Sequence, residues 1–246
     1  MRILLTGANG YIGMRLLPVL VEAGHEVTCV VRDRNRFQPG EDLLRQVEVI
    51  EFDFLQPENA LQHFNKKVYD VAYYLIHSLG DTSTTLKEYE LRSVGCFILV
   101  SSLCQVRQIV YLGGISNVPK LSSHLLARKV VKDVIVNSGI PYTIFEAGIV
   151  VGSGSVSFEI IRDLTEKLPV MVVPRWLNSK CQPIAIRNVI NYLFRCLRDE
   201  NTYFRTFEIG GPDVLSYKQM LLDFAEVRGY KRYIIAMPVV FPGLSA

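Results

Sequence analysis

The stretch TGANGYIG, residues 6–13, decides the fold of this chain. It follows the apolar run of residues 3–5 and opens the segment of residues 11–23, in which apolar side chains recur at helical spacing. The apolar residues in question are Ile12, Leu16, Leu17, Leu20 and Val21. The glycines therefore lie on a turn between a predicted strand and a predicted helix, the context that makes a glycine triplet a nucleotide-binding signal.

Each glycine of the turn has a separate predicted role. Gly7 allows a tight turn, Gly10 lets the backbone approach a pyrophosphate, and Gly13 lets the helix pack closely on the strand. The N–H groups of the helix N-terminus, next to Tyr11 and Ile12, favour an anion. The alternative is a glycine-rich turn that holds no ligand.

The spacing G-x-x-G-x-x-G resembles that of the extended and atypical short-chain dehydrogenase/reductases, in the variant carried by NAD-dependent epimerase/dehydratase-like and NmrA-like proteins. The resemblance extends over nearly the whole chain. It implies an α/β fold, a doubly wound parallel-sheet Rossmann fold with a small C-terminal substrate lobe. We expect a single domain over residues 1–246, with segments of about 155–185 and 205–246 contributing the lobe.

Composition excludes several classes of partner. The net charge of +3 is mild and the basic residues are scattered, so we expect no nucleic-acid role. No apolar run approaches the roughly 18 residues of a membrane span, and residue 1 leads straight into a strand without a signal peptide. Five well-separated cysteines lack metal-ligand spacing and are expected to be reduced thiols of a cytoplasmic protein.

The end of the second predicted strand, HEVTCVVR, bears on cofactor choice. A carboxylate about 20 residues beyond the turn favours NAD(H), whereas an arginine there suits the 2′-phosphate of NADP(H). By register with the family this position is Arg32, with Asp33 one residue later. The sequence thus predicts NADP(H), with NAD(H) as the less favoured cofactor; a solvated basic loop is the alternative.

Further cofactor contacts follow from the resemblance. Asp53, after the third strand, matches an aspartate that contacts adenine, although a surface aspartate in a turn is the alternative. Leu75, Ile76 and His77 end the fourth strand, where family members line the cofactor. His77 and Ser78 are expected at the carboxyl end of the sheet, where ligands bind in this architecture.

The catalytic positions of the family are altered here. Its catalytic Ser follows the fifth strand, where this chain has Gly113 and Gly114, and Ser116 comes two residues later. Its Tyr-x-x-x-Lys pair corresponds to His124 and Arg128. Histidine titrates near neutrality and can serve as acid or base, so His124 with Arg128 is the first catalytic candidate, and His77 and Ser116 are reserves. The alternative, of equal weight, is that His124 only caps or packs locally and that Arg128 makes a surface or phosphate contact.

The last part of the chain supplies the expected substrate lobe. Gly148 would lie beside the nicotinamide, and Glu146 stands where family members often have Arg-Pro. Arg175, Trp176 and Gln182 would lie near the cleft.

Two functions fit the sequence. The first is an NADP(H)-dependent oxidoreductase or epimerase-like enzyme with an unidentified small-molecule substrate. The second is a non-catalytic NADP(H)-binding regulator or assembly factor, which the loss of Ser, Tyr and Lys favours. The sequence leaves the substrate and the oligomeric state open.

Overall fold

A computed structural model describes residues 1–77, 83–116 and 122–237. The strands are, in chain order, β1 (Arg2–Thr6), β2 (Glu26–Val31), β3 (Glu48–Glu51), β4 (Val71–Tyr74), β5 (Gln108–Gly114), β6 (Tyr142–Ala147), β7 (Val150–Val151), β8 (Val170–Pro174), β9 (Lys180–Cys181), β10 (Ile184–Ala185), β11 (Arg205–Ile209), β12 (Leu215–Ser216) and β13 (Tyr233–Met237). The helices are α1 (Gly13–Glu22), α2 (Glu41–Leu44), α3 (Ala60–Phe64), α4 (Ser83–Leu103), α5 (Ser123–Val136), α6 (Val156–Lys167), α7 (Ile186–Arg195) and α8 (Tyr217–Val227).

A seven-stranded parallel sheet forms the centre of the first compact unit, which comprises Met1–Ala147 and Arg187–Ile209. Its strand order is β11-β6-β5-β4-β1-β2-β3. The chain winds outward from β1 to β3, then crosses back to β4 on the other side of β1. In such sheets ligands bind at this reversal point, outside the carboxyl ends of the strands.

The core strands are apolar along their length because helices cover both faces of a parallel sheet. All seven residues of β5 and all six of β6 are buried. Leu5 of β1 aligns with Cys29 of β2 and with Tyr73 of β4. The doubly wound Rossmann fold that the sequence predicts is therefore confirmed.

Several observed boundaries are narrower than the sequence predicts. The third strand ends at Glu51, so Asp53 lies two residues beyond it, and the fourth ends at Tyr74, before His77. The short helix expected from Pro57 is a 3₁₀ turn over Pro57–Asn59, followed by α3. The helix that follows the glycine turn spans Gly13–Glu22 and ends before Gly24, whose φ of +76° suits a residue just past a helix.

The second compact unit comprises Gly148–Ile186 and the chain from Gly210 onward. It contains α6 and α8 and three two-stranded pairings: β7 with β10, β9 with β12, and β8 with β13. Its own core consists of buried side chains from these elements: Ile161, Met171, Val173, Leu177, Met220 and Leu221.

Candidate dinucleotide and substrate site

The glycine turn after β1 depends on Gly7 and Gly13. Gly7 has a φ of +65°, a conformation that side chains disfavour, and a Cβ there would lie 2.5 Å from the carbonyl oxygen of Leu75. A Cβ on Gly13 would overlap the Gly7 carbonyl oxygen and lie 2.8 Å from the Cα of Ala8. Both glycines are therefore required for the turn itself, before any ligand is considered.

Gly10 differs from these two glycines because an added Cβ would meet a single atom within 4 Å. The residue is exposed, and the nearest atom to an added Cβ would be the Gly7 oxygen, 3.2 Å away. The Gly10 N–H donates to that same oxygen at 2.9 Å, which closes the turn. The space above Gly10 thus fits a pyrophosphate that approaches the backbone closely, the role that the motif predicts.

The start of α1 adds favourable electrostatics to this space. Ile12 occupies the N-cap position and has no side-chain acceptor. The N–H groups of Met14 and Arg15 donate to the carbonyl oxygens of Gly10 and Ile12, so the N–H groups that could meet an anion are those that precede Met14. Arg15 stacks its guanidinium 3.9 Å from the centre of the Tyr11 ring and donates to the Tyr11 carbonyl oxygen at 3.0 Å. The predicted contacts Tyr11 and Ile12 therefore lie directly before the first turn of α1, next to the positive end of the helix dipole.

A polar cleft of about 280 Å³ lies beyond the carboxyl ends of β2 and β3 and brings Arg32 and Asp53 together. Arg32 is exposed, and its guanidinium makes no hydrogen bond or ion pair with any residue that the structure describes. One oxygen of Asp53 accepts the Leu55 N–H at 3.0 Å, and Glu51 accepts the Arg34 N–H at 3.0 Å. Arg32 is thus a cation with free donors on a cleft wall.

Sequence reasoning missed three polar side chains of this cleft, Gln56, Asn59 and His63. The His63 ring lies 5.5 Å from the Phe52 ring, centre to centre. The 3₁₀ turn over Pro57–Asn59 decides which of these side chains face the cleft, and no pattern in the sequence predicts this turn.

The carboxyl end of β4 packs directly on the glycine turn. Leu75 and Ile76 supply the backbone atoms that a side chain at Gly7 would strike. His77 follows; the residue keeps part of its surface exposed, but its ring, 6.4 Å from the Tyr111 ring, is surrounded by many protein atoms. Desolvation by the surrounding protein, reinforced by the charge of Arg128, lowers the pKa of His77 to about 3. Ser78 lies outside the described residues.

Gly114, at the end of β5, faces the side chain of Arg128 from α5. A Cβ on Gly114 would lie 2.8 Å from Leu125 Cδ2 and 3.3 Å from Arg128 Nη1. A Cβ on Gly113 would lie 3.0 Å from Cε1 of Tyr111. The glycine pair that replaces the family's serine therefore makes room for neighbouring side chains.

Ser116 belongs to a hydrogen-bonded network around Glu146. Its Oγ donates to Glu146 Oε1 at 2.9 Å, and Lys132 Nζ donates to Glu146 Oε2 at 3.0 Å. Glu146 is buried on β6, opposite Gly113 in the register of the sheet. The sequence analysis noted Glu146 only as a departure from the family. Its ion-pair partner could have been found from the helical spacing, because Lys132 lies four residues after Arg128 and eight after His124, on the same face of the helix.

His124 lies at the second position of α5 and is exposed. The helix begins at a Ser122 cap, whose Oγ accepts the Leu125 N–H at 3.3 Å. Arg128, one turn later, is half-buried. Within the described chain the His124 ring makes no hydrogen bond, ion pair or ring contact, so the structure brings Arg128 to Gly114 but attaches His124 to no partner.

The remaining predicted residues belong to the second unit. Gly148 is its first residue, directly after β6. Trp176 is 60% exposed and meets the Tyr217 ring edge-on at 5.8 Å, while Gln182 Nε2 donates to the Gly211 oxygen at 2.5 Å. Arg175 is exposed. Among the described residues there is neither a cluster of metal ligands nor a helix long and apolar enough to cross a membrane.

A glycine turn between β1 and α1, at the carboxyl edge of a seven-stranded parallel sheet, defines a dinucleotide-binding Rossmann protein. A family model described as NAD(P)H-binding matches residues 7–176, and the chain belongs to this NAD(P)H-binding family. Its cofactor is a nicotinamide dinucleotide. None of the curated proteins matches the sequence.

Three solved structures with a similar fold and low sequence identity are named as epimerases. The chain is similar to a UDP-glucose 4-epimerase from Thermotoga maritima (TM-score 0.77, 14% identity, covering 98% of this chain and 87% of that one). It is also similar to a UDP-glucuronic acid 4-epimerase from Bacillus cereus in complex with NAD (TM-score 0.77, 16% identity, covering 97% of this chain and 86% of that one). A third similar structure is a nucleoside-diphosphate-sugar epimerase from Staphylococcus aureus (TM-score 0.77, 17% identity, covering 98% of this chain and 81% of that one). The fold that the resemblance to epimerase-like short-chain dehydrogenase/reductases implies is thus confirmed.

Proposed function

We propose that this NAD(P)-binding, epimerase-like protein is an NADP(H)-dependent oxidoreductase or epimerase-like enzyme of small-molecule metabolism. The observation that carries the cofactor choice is the free guanidinium of Arg32 on the cleft beyond β2. A 2′-phosphate needs a cation with unused donors, and Arg32 offers both. The carboxylates of Glu51 and Asp53 in the same cleft each accept a backbone N–H, so each has fewer oxygen lone pairs left for a ribose hydroxyl.

The chain's own residues would divide the work around such a cofactor. A bound nicotinamide supplies hydride transfer. Gly10 and the first turn of α1 hold the pyrophosphate, and one oxygen of Asp53 remains free for the adenine amino group. Gly113, near the end of β5, and Gly148, directly after β6, are assigned to the nicotinamide side as the family resemblance implies.

A proton must accompany hydride transfer, and the family's Ser and Tyr are absent. His124 is the first candidate for the proton carrier, with His77 and Ser116 as reserves. In favour of Ser116, its hydroxyl already donates to the buried carboxylate of Glu146, so a proton accepted from a substrate hydroxyl has a path into the protein. In favour of His77, it lies at the carboxyl end of β4, directly after the residues that contact the glycine turn.

A non-catalytic regulator is the second candidate function. The replacement of the family's Ser, Tyr and Lys by Gly114, His124 and Arg128 favours it, because a protein that only senses a dinucleotide needs no proton relay. The glycine turn and the Arg32 cleft serve both functions equally.

The organisation and location of the protein complete the proposal. The second compact unit, with its own core, is assigned as the substrate lobe that the resemblance implies. All five cysteines are free and four of them are buried, which fits a reducing, cytoplasmic environment. Burial raises the pKa of Cys29 and of Cys196 to about 12, so these thiols stay protonated.

Dinucleotide titration followed by a turnover assay tests the proposal. We expect NADP(H) to bind more tightly than NAD(H), and NADPH absorbance to fall with at least one member of a panel of aldehydes, ketones and nucleotide sugars. Tight NADPH binding without oxidation across the panel would instead support the regulator. Equal affinity for the two dinucleotides would contradict the proposed cofactor preference.

A further inference from the structure

The Arg128 guanidinium is a half-buried cation with no hydrogen-bond or ion-pair partner among the described residues. Side chains of a helix point toward its N-terminus, and this direction brings Arg128 onto Gly114 at the carboxyl end of β5. A Cβ on Gly114 would lie 3.3 Å from Nη1 and 3.4 Å from Cδ of Arg128. No hydrogen bond or ion pair joins the guanidinium to any part of the chain that the structure describes. A charge in such a position is normally paired, because an unpaired buried charge is costly.

The nearby carboxylates do not supply the missing partner. Glu146 raises the pKa of the Tyr111 hydroxyl and Arg128 lowers it, so both charges lie near this hydroxyl. The two oxygens of Glu146, however, already accept hydrogen bonds from Ser116 and Lys132. Glu90, on α4, also raises the pKa of the Tyr111 hydroxyl. Desolvation, with a smaller contribution from the charge of Arg128, lowers the pKa of His77, and an imidazole carries no negative charge that could pair with the guanidinium. The positive charge beside Gly114 is therefore left for a ligand.

We propose that Arg128 anchors an oxyanion of the substrate, a carboxylate or a phosphate, at the carboxyl end of β5. This inference rests on the proposed function, because the anchored molecule is the one that reacts beside the nicotinamide. A guanidinium presents two parallel N–H groups that match the two oxygens of such an anion. The substrate class is thus an acidic small molecule.

Gly114 contributes to the same anion site, because it lies directly beside the Arg128 side chain. A side chain at residue 114 would meet Leu125 Cδ2 at 2.8 Å and press on the guanidinium. A serine at this position, as in the family, would therefore require the side chains of Leu125 and Arg128 to shift. The absence of a side chain at residue 114 gives the arginine its place.

Calorimetric titration of the full-length chain with oxalate and with inorganic phosphate, with and without NADP⁺, tests the inference. Oxamide, which has the shape of oxalate without its charge, is the control ligand. We expect at least one of the two anions to bind and oxamide not to bind. Because a hydrogen bond to a charged group is worth a factor of about 10 or more in affinity, Arg128→Gln should weaken the binding of that anion about tenfold or more.

Variants separate the anchor from a general effect of charge. Lys129→Gln removes a charge from the next, exposed position of α5 and should leave anion affinity unchanged. Arg128→Lys keeps the charge without the fork and should lose part of the affinity for oxalate. Gly114→Ala should weaken anion binding by displacing the guanidinium, while the dinucleotide affinity of all these variants stays within about twofold of the parent.

Four results would overturn the inference. They are no binding of either anion by the parent chain, equal binding by Arg128→Gln, competition between the anion and NADP⁺, and loss of NADP⁺ affinity in Arg128→Gln without loss of anion affinity. The last two would place the anion at the pyrophosphate site or assign the guanidinium to the cofactor. Failure of the proposed function would look different: no dinucleotide would bind, while the Arg128-dependent binding of the anion in the absence of NADP⁺ would persist.

Discussion

Glu146 and Lys132 form an ion pair with a separation of 3.0 Å between Oε2 and Nζ, in which the glutamate side chain is only 7% exposed. The pair joins β6 to α5, and the Ser116 hydroxyl completes it from the segment after β5. Removing one member of a buried pair is costly because the other charge is left without compensation.

Lys132→Met should therefore lower the free energy of unfolding by about 3 kcal/mol, since it leaves the Glu146 carboxylate unpaired. The double variant Lys132→Met with Glu146→Gln should recover most of this loss, and Lys129→Met is the control on the same helix. Urea unfolding measures all three. A single variant as stable as the parent would show that solvent compensates Glu146.

Gly10 and Gly13 should respond differently to the same substitution. Gly10→Val should abolish dinucleotide binding at an unchanged melting temperature, because a side chain at residue 10 enters the open space above the turn. Gly13→Val should lower the free energy of unfolding by at least about 2 kcal/mol, because its side chain strikes the backbone of residues 7 and 8. Thermal unfolding and dinucleotide titration decide between these effects. Unchanged affinity in Gly10→Val would contradict the assignment of this turn to the pyrophosphate.

Arg32→Ala should reduce the preference for NADP(H) over NAD(H) about 10- to 100-fold, the value of one charge-assisted hydrogen bond of about 1.5–3 kcal/mol. The affinity for NAD(H) should stay the same, because NAD(H) has no 2′-phosphate. Arg36→Ala, from the 3₁₀ turn that follows, is the matched control. Calorimetry with both dinucleotides measures the effect. A preference that survives in Arg32→Ala would assign 2′-phosphate recognition to another residue.

The His77 imidazole should remain neutral across the range of about pH 5–8 in which a free histidine titrates. Its surroundings and the charge of Arg128 lower its pKa to about 3. The unfolded chain therefore binds a proton more readily than the folded chain, and stability falls as the pH drops from about 6.5 toward 3. NMR titration of the ring should show no transition near neutrality, and Arg128→Gln should raise the pKa. A transition near pH 6.5 in the parent would exclude this environment.

Proton transfer is the last prediction. If His124 carries the proton, His124→Ala should lower single-turnover hydride transfer by about 10²- to 10⁴-fold at nearly constant cofactor affinity. His77→Ala and Ser116→Ala serve as comparisons over the same pH range. Unchanged rate and pH profile in both histidine variants would leave Ser116 with Glu146 as the remaining route.

The sequence by itself determined the architecture and the dinucleotide turn. Alternating apolar strands and helices and the spacing of Gly7, Gly10 and Gly13 suffice for both, because periodicity and backbone sterics are local properties. Arg32 and Asp53 were also identified from their positions after two strands. Strand ends were less accurate, as at Glu51 and Tyr74, because the point at which pairing stops depends on neighbouring strands.

Only the tertiary structure decided what the substitutions at the catalytic positions mean. The sequence showed that Gly114 replaces a serine and that Arg128 replaces a lysine, but not that the arginine fills the space that the glycine leaves. Likewise, Ser116, Lys132 and Glu146 come from three separate segments and meet only because β5 and β6 are neighbours under α5. Contacts between residues far apart in the chain depend on the packing of whole elements, and no local pattern encodes them.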